Sequence, residues 1–379
     1  MKVLIAGDFV PYKRVAAQIN QGNYHCLEEA KPIIKSVDYS IVNLECPVVV
    51  REAKPIDKTG PNLQCTEKAI ECLSETGFNC VTLANNHFRD QGQVGVEDTI
   101  DTCERYVLDY VGGGRTFEDA SRILFKKING QQLAIINVCE HEWSIATLSY
   151  GGSNPLDPIN NYYSITQARK KADYVIVIVH GGIEHFRLPT PRMVDTYRFF
   201  IDAGADAVVN HHQHCYSGYE EYNGRPIFYG IGNFCFDKIS NNNTQQQNIM
   251  WENGYMVELS LGPSISYHIY PYSQCTNENA SVQLLDSNSF DSNTKELNDT
   301  IKDRLKLIQQ FEQRAAKGFN GVSSILIPYS SNLAKRLVAR HMLPSFVSSE
   351  RIKRLLANVQ CESHRDIMER VLKASINEI

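Results

Sequence analysis

Seven short apolar blocks constrain this chain more than any other feature: KVLIAG (2–7), YSIVN (39–43), CVTLA (80–84), LAIINV (133–138), YVIVIV (174–179), DAVVN (206–210) and PIFYG (226–230). They are rich in Val and Ile and show no polar alternation. A strand with one wet face alternates, whereas a strand buried on both faces does not. Between the blocks run segments with helical spacing of apolar residues, at 25–37, 66–77, 94–106 and 191–204. Gly77 and Gly204 are placed as helix C-caps and Pro191 as a first-turn proline. Strand and helix in repeated alternation predict an α/β fold with helices covering both sheet faces.

The chain has 379 residues, enough for one large domain with an appendage or for two ordinary domains. A formal net charge of −5, with no Lys/Arg run interleaved with aromatics, argues against nucleic acid as a partner. Eleven cysteines are an odd number, and no C-x-x-C pair occurs, so buried free thiols in a reducing compartment are expected rather than a disulfide framework. The N-terminal apolar run ends at Gly7-Asp8, too short for a signal-peptide core, and no segment approaches the roughly 18 apolar residues of a membrane span. The expectation is a cytoplasmic protein with no membrane span.

After about residue 275 the character changes. Residues 276–294 are polar and rich in Asn and Ser, which predicts a linker or an irregular surface segment. Residues 295–379 carry helix-period apolar positions without a set of residues that looks catalytic. The expectation there is a helical appendage for packing, or for a homo-oligomer.

In an open α/β sheet, ligands bind beyond the carboxyl ends of the strands. After KVLIA comes Gly7-Asp8; after YSIV, Asn43-Leu44-Glu45; after CVTLA, Asn85, Asn86 and His87. After YVIVIV comes His180, followed by Gly181, Gly182, Ile183 and Glu184, and after DAVV comes Asn210 with His211, His212 and His214. Any one of these is more often a helix cap or a packing residue than a ligand. Five strands that all end this way are hard to assign to caps. Carboxylates, amide oxygens and imidazoles without a recurring thiolate suit Mn, Fe or Zn, and the set is large enough for one or two divalent ions.

These residues, in this order, resemble the CapA-type family named for poly-γ-glutamate capsule synthesis, within the calcineurin-like metallophosphoesterase superfamily. The resemblance runs through GD (7–8), NLECP (43–47), ANNHFRDQG (84–92), HGGIEH (180–185), GADAVVNHHQH (204–214) and YGIGNFCFD (229–237), covering roughly residues 1–270. It implies a sandwich of two mixed sheets flanked by helices over residues 1–275. It also implies that Asp8, Glu45, Asn86, His180, His212 and His214 hold the metal, with Glu45 as the bridging carboxylate. His87 would protonate the leaving oxygen of a phosphoester, a task suited to an imidazole near neutral pH.

Several further residues carry expectations. Asp90 would orient His87, and Arg89 would bind a substrate anion. Glu184 would steady a histidine or meet the substrate. Asn233 and Asp237 would line the pocket, while Gly230 and Gly232 would let the backbone pass close to it. His212 and His214, spaced as His-x-His, would project to one side of an extended segment, and His211 would point toward the substrate or the core. The superfamily's usual Asp-x-His is replaced by Asp8-Phe9-Val10, which removes one imidazole from one metal position. The expected partner is an anionic small molecule or polymer. The activity is then either phosphoester hydrolysis on a phosphorylated small molecule or glycan precursor, or non-catalytic binding of a polymer such as poly-γ-glutamate by a protein that docks to a synthase.

Overall fold

The computed structural model describes residues 1–238, 250–317 and 348–377. The remainder of the expected C-terminal region, 318–347 and 378–379, lies outside the described residues. Eight strands form one sheet and six a second. In the first, β1 (Lys2–Val10), β2 (Tyr39–Leu44), β3 (Cys80–Thr82) and β4 (Asp109–Val111) run parallel in that order, and β13 (Asn233–Phe236) pairs in parallel with the end of β1. On the other flank of β1 the sheet continues antiparallel through β14 (Asn253–Ser260), β15 (Ser266–Gln274) and β16 (Val282–Leu284). The second sheet has β7 (Gln131–Cys139), β9 (Tyr174–His180), β10 (Ala207–His211) and β12 (Arg225–Phe228) in parallel, with β6 (Leu124–Ile128) and β11 (Tyr219–Tyr222) antiparallel at its edges. Between them β5 (Gly113–Gly114) and β8 (Gly152–Ser153) make a two-stranded ladder.

The unalternating Val/Ile runs now have a physical reason. Leu4 and Ala6 pack toward the helices on the first sheet, while Val3 and Ile5 face the second sheet. Val175, Val177 and Val179 likewise pack under helices, and Ile176 and Ile178 meet Val3, Ile5 and Ile41 between the sheets. Each sheet is therefore covered by helices on one face and by its partner sheet on the other. This corrects the expectation of helices on both faces and matches the two-sheet sandwich. Short apolar runs identify a doubly buried strand without identifying what buries it.

The helix expected over 25–37 is split into a turn at His25–Leu27 and a short helix at Lys31–Lys35, because Pro32 is tolerated only in a first turn. Residues 276–294 contribute the edge strand β16 and the start of the helix Ser287–Lys302, where composition suggested an irregular segment. The helices Arg304–Lys317, Ser349–Gln360 and Glu362–Asn377 follow and pack on the body of the molecule. All eleven cysteines are buried and unpaired. Among the described residues no helix is long and apolar enough to cross a membrane.

Candidate metal centre

The strand ends converge as the register requires. Asp8 lies opposite Asn43 across β1 and β2, His180 opposite His211 across β9 and β10, and a bulge in β1 re-aims the chain at Asp8. The bulge needs close backbone passage: a Cβ on Gly7 would lie 2.0 Å from the Gly232 carbonyl oxygen. Gly232 itself has φ +80°, a conformation that glycine adopts freely.

Around His180 Nε2 stand Asn86 Oδ1 at 3.0 Å, His212 Nδ1 at 3.1 Å and Glu45 Oε1 at 3.4 Å. Atoms that each sit about 2.1 Å from one ion are separated by about 3.0 Å at right angles and about 3.4 Å at tetrahedral angles, so this grouping has the spacing of a coordination shell. A second grouping shares Glu45: His214 Nε2 is 3.8 Å from Glu45 Oε1, and His214 Nδ1 is 3.7 Å from Asp8 Oδ2. Asp8, Glu45, Asn86, His180, His212 and His214 are all buried.

The electrostatics fit a bound cation. Neither carboxylate oxygen of Glu45 has a hydrogen-bond donor, although the residue is fully buried. Burial pushes the Glu45 carboxyl up to about 8 against the opposing pull of His214. Burial, then the nearby Glu45, raises Asp8 well above the usual carboxylate range. Burial and neighbouring imidazoles hold His180 and His212 well below the usual histidine value. A buried carboxylate without donors, beside imidazoles kept neutral, is costly unless a cation is present, and deprotonated side chains are what metal binding requires.

His212 and His214 reach the site by a route different from the expected extended segment. Their φ values are +87° and +54°, so both occupy the left-handed region in the turn after β10. Such backbone in non-glycine residues costs of order 1–3 kcal/mol each and concentrates at functional sites. Asn233 Oδ1 holds His214 Nδ1 at 2.9 Å, which leaves Nε2 for the Glu45 side, and Trp251 packs on the ring with centroids 5.0 Å apart.

His87 Nδ1 lies 2.6 Å from Asp90 Oδ2, and the buried Lys58 ammonium pairs with the other Asp90 oxygen. Arg89 stacks on Tyr150 at 3.7 Å, with its backbone N–H donating to Ser144, and does not enter the metal cluster. Asp237 is held in a bidentate pair with Arg14 and is not brought to the cluster. His211 is buried with Nε2 3.1 Å from the Ala6 carbonyl oxygen, which places it in the core rather than in a substrate pocket. Burial lowers it to about 4.

A cleft of about 340 Å³ opens beside the cluster, lined by Lys58, Asn86, His87, Glu142 and Glu184. Glu142 carries no expectation from sequence, yet its Oε1 is 3.6 Å from His212 Nε2. It follows β7 as the candidate ligands follow their strands, and that placement was the available signal. Asn43, whose side chain donates to Asp8 Oδ1 at 2.7 Å, sat at a strand end in the same way. The C-terminal helices contribute Arg314, Ala357, His364 and Ile367 to this cleft, a role that helix-period packing positions did not reveal.

Fold and site together define an α/β two-sheet sandwich with a buried centre lined by carboxylates, an amide and imidazoles. The chain belongs to the bacterial capsule synthesis protein PGA_cap family, whose model matches residues 2–238. It is 33% identical over 247 residues to the capsule biosynthesis protein CapA of Bacillus anthracis, covering 63% of this chain and 60% of that one. It is 35% identical over 212 residues to the PGA biosynthesis protein CapA of Bacillus subtilis strain 168, covering 55% and 56% respectively. The chain thus spans between about half and three fifths of the length of these curated relatives. Among solved structures, a putative 5'-nucleotidase of Staphylococcus aureus matches with a TM-score of 0.43 at 14% identity, covering 80% of this chain and 58% of that one. A 5'-nucleotidase of Candida albicans matches with a TM-score of 0.42 at 10% identity, covering 83% and 57%.

Proposed function

We propose that this protein is a metal-dependent phosphoester hydrolase acting on a phosphorylated small molecule or glycan precursor in surface-polymer synthesis. The observation that carries the reading is Glu45, buried without a hydrogen-bond donor and shared by the groupings Glu45–His180–His212 and Asp8–Glu45–His214. Asn86 completes the first grouping. Divalent cations held there would polarise a phosphoryl oxygen and stabilise the charge that develops as the ester bond breaks. His87 lines the cleft next to Asn86, and with Nδ1 engaged by Asp90 its Nε2 is the nitrogen left to give a proton to the departing oxygen. Asp90, fixed by Lys58, holds the ring in that orientation.

The test is turnover of an aryl phosphate monoester and diester by manganese-, iron- or zinc-loaded protein. His87→Ala is expected to lower kcat about 10²–10⁴-fold with its metal content kept, the loss typical of a missing general acid. His212→Ala is expected to bind the ion of its own grouping about a hundredfold more weakly and to lose turnover with it. A second reading, a metal-binding accessory protein that holds an anionic polymer, draws on Val10, which packs in the helix-side core where the superfamily's pattern has an imidazole. Stoichiometric metal without turnover across a broad phosphate panel would select it.

A further inference from the structure

The C-terminal helices do more than pack against the domain. Glu140, which follows β7 and is 1% exposed, accepts from Arg192 at 2.6 Å and from the Ser363 hydroxyl at 2.9 Å. Gly182 N–H, two residues past His180, donates to the same carboxylate at 3.2 Å. Glu362 meets His141 Nδ1 at 2.6 Å, and Asp366 meets Arg192 at 2.8 Å. The start of the helix Glu362–Asn377 is thereby fixed to the strand ends that carry the metal centre, through a network that includes the buried residues Cys361 and Ser363.

That fixation sets two basic side chains into the cleft beside His87. Arg314 comes from the helix Arg304–Lys317 and His364 from the helix Glu362–Asn377. Arg314 makes no hydrogen bond or ion pair among the described residues, unlike its neighbours Arg304, paired with Asp195, and Arg370, paired with Glu312. Neither acid in the same cleft pairs with Arg314: Glu142 is turned to His212 and Asn86 at the metal end, where it also feels the charge of His364, and Glu184 is exposed to solvent. A guanidinium offers a planar fork of donors that matches carboxylate or phosphate, and no described residue takes up that fork. The volume of the cleft suits a small molecule or the end of a longer chain.

We infer that Arg314, assisted by His364, forms an anion subsite, so that the substrate carries a second anionic group, a carboxylate or a phosphate, in addition to the ester that reacts. This rests on the hydrolase reading for its catalytic consequence, but the binding it describes is separable. Arg314 acts as a specificity-determining residue rather than a catalytic one.

The test compares propyl phosphate, which has no second anion, with 3-(phosphonooxy)propanoate and 1,3-propanediol bisphosphate, using the full chain loaded with manganese. The wild-type protein is expected to prefer one or both doubly anionic esters in kcat/KM, and whichever is preferred distinguishes carboxylate from phosphate. Arg314→Gln should collapse that preference tenfold or more, mainly through KM, with partial recovery in Arg314→Lys. An unchanged ratio in Arg314→Gln, even with lower rates on all three esters, would mean a merely structural role and would overturn the subsite. Calorimetry with glutarate, which has no ester to cleave, reads binding alone: a tenfold or larger loss in Arg314→Gln is expected, and equal binding by both proteins would overturn the inference. If no ester is hydrolysed while the glutarate difference persists, the hydrolase reading fails and the subsite stands.

Discussion

The two groupings of the candidate metal centre differ in how completely they are furnished. On one side Glu45, His180 and His212 are joined by the Asn86 amide, and three of these atoms lie within 3.4 Å of His180 Nε2. On the other, His214 stands 3.7 Å from Asp8 and 3.8 Å from Glu45, and Val10 adds nothing because it is packed among apolar side chains. On the proposed reading, Glu45 would serve two cation positions of unequal strength. The Asn86 side is expected to hold its ion more tightly, and the Asp8 side to be the one that empties first.

The largest effect should come from the residue the two halves share. If the proposed hydrolase reading holds, Glu45→Ala is expected to abolish metal binding at both positions and lower phosphoester turnover at least about a thousandfold, measured by metal analysis and steady-state kinetics. Retention of even one stoichiometric ion would break the idea of a shared ligand. Next come the separate halves: His212→Ala should weaken the tighter ion about a hundredfold, whereas His214→Ala should spare it and weaken only the other. Equal losses from the two variants in competition with a chelator would erase the distinction.

Glu45 also sets a pH dependence for the metal-free chain. Its carboxyl is raised to about 8 when folded, above the unfolded value near 4.5, so the folded state holds a proton that the unfolded chain has released. Folding stability must then fall as pH rises between those values. The lowered pKa values of His180 and His212 act in the other window, below about pH 6.5, where the unfolded chain takes up protons that the folded chain refuses. Between pH 6.5 and 8 the histidine window is closed and the Glu45 proton should cost about 2 kcal/mol, at about 1.4 kcal/mol per pH unit, with the raised Asp8 carboxyl and His141 imidazole pulling the same way. Denaturant unfolding with a chelator should show this slope and added manganese should flatten it; a flat chelated profile would count against a buried, donorless Glu45. The smallest effect expected is that of Asn233→Leu, which frees the His214 ring and should loosen the weaker ion about tenfold without touching the tighter one.

Much of this centre was legible along the chain, because strands of a parallel sheet deliver their C-terminal neighbours to one edge. Asp8, Glu45, Asn86, His180, His212 and His214 needed only that rule and the family resemblance to be gathered. Asp237 and His211 show its limit. Both follow or end strands near the site, yet Arg14 claims the first and the Ala6 carbonyl the second, and such partners lie 223 and 205 residues away in sequence. Glu142 was hidden for the opposite reason, since one more acid after a strand carries no mark until His212 is seen opposite it.

What the sequence determined by itself was the alternation of doubly buried strands with helices and the kind of atom placed at each strand end, since both follow from local patterns of residue type. The tertiary structure decided the rest: that the sheets cover one another, that His212 and His214 turn through left-handed backbone, and that Arg314 and His364 reach the cleft. Each of these depends on contacts between segments far apart in the chain. Helical periodicity shows which face is buried but leaves open what that face covers.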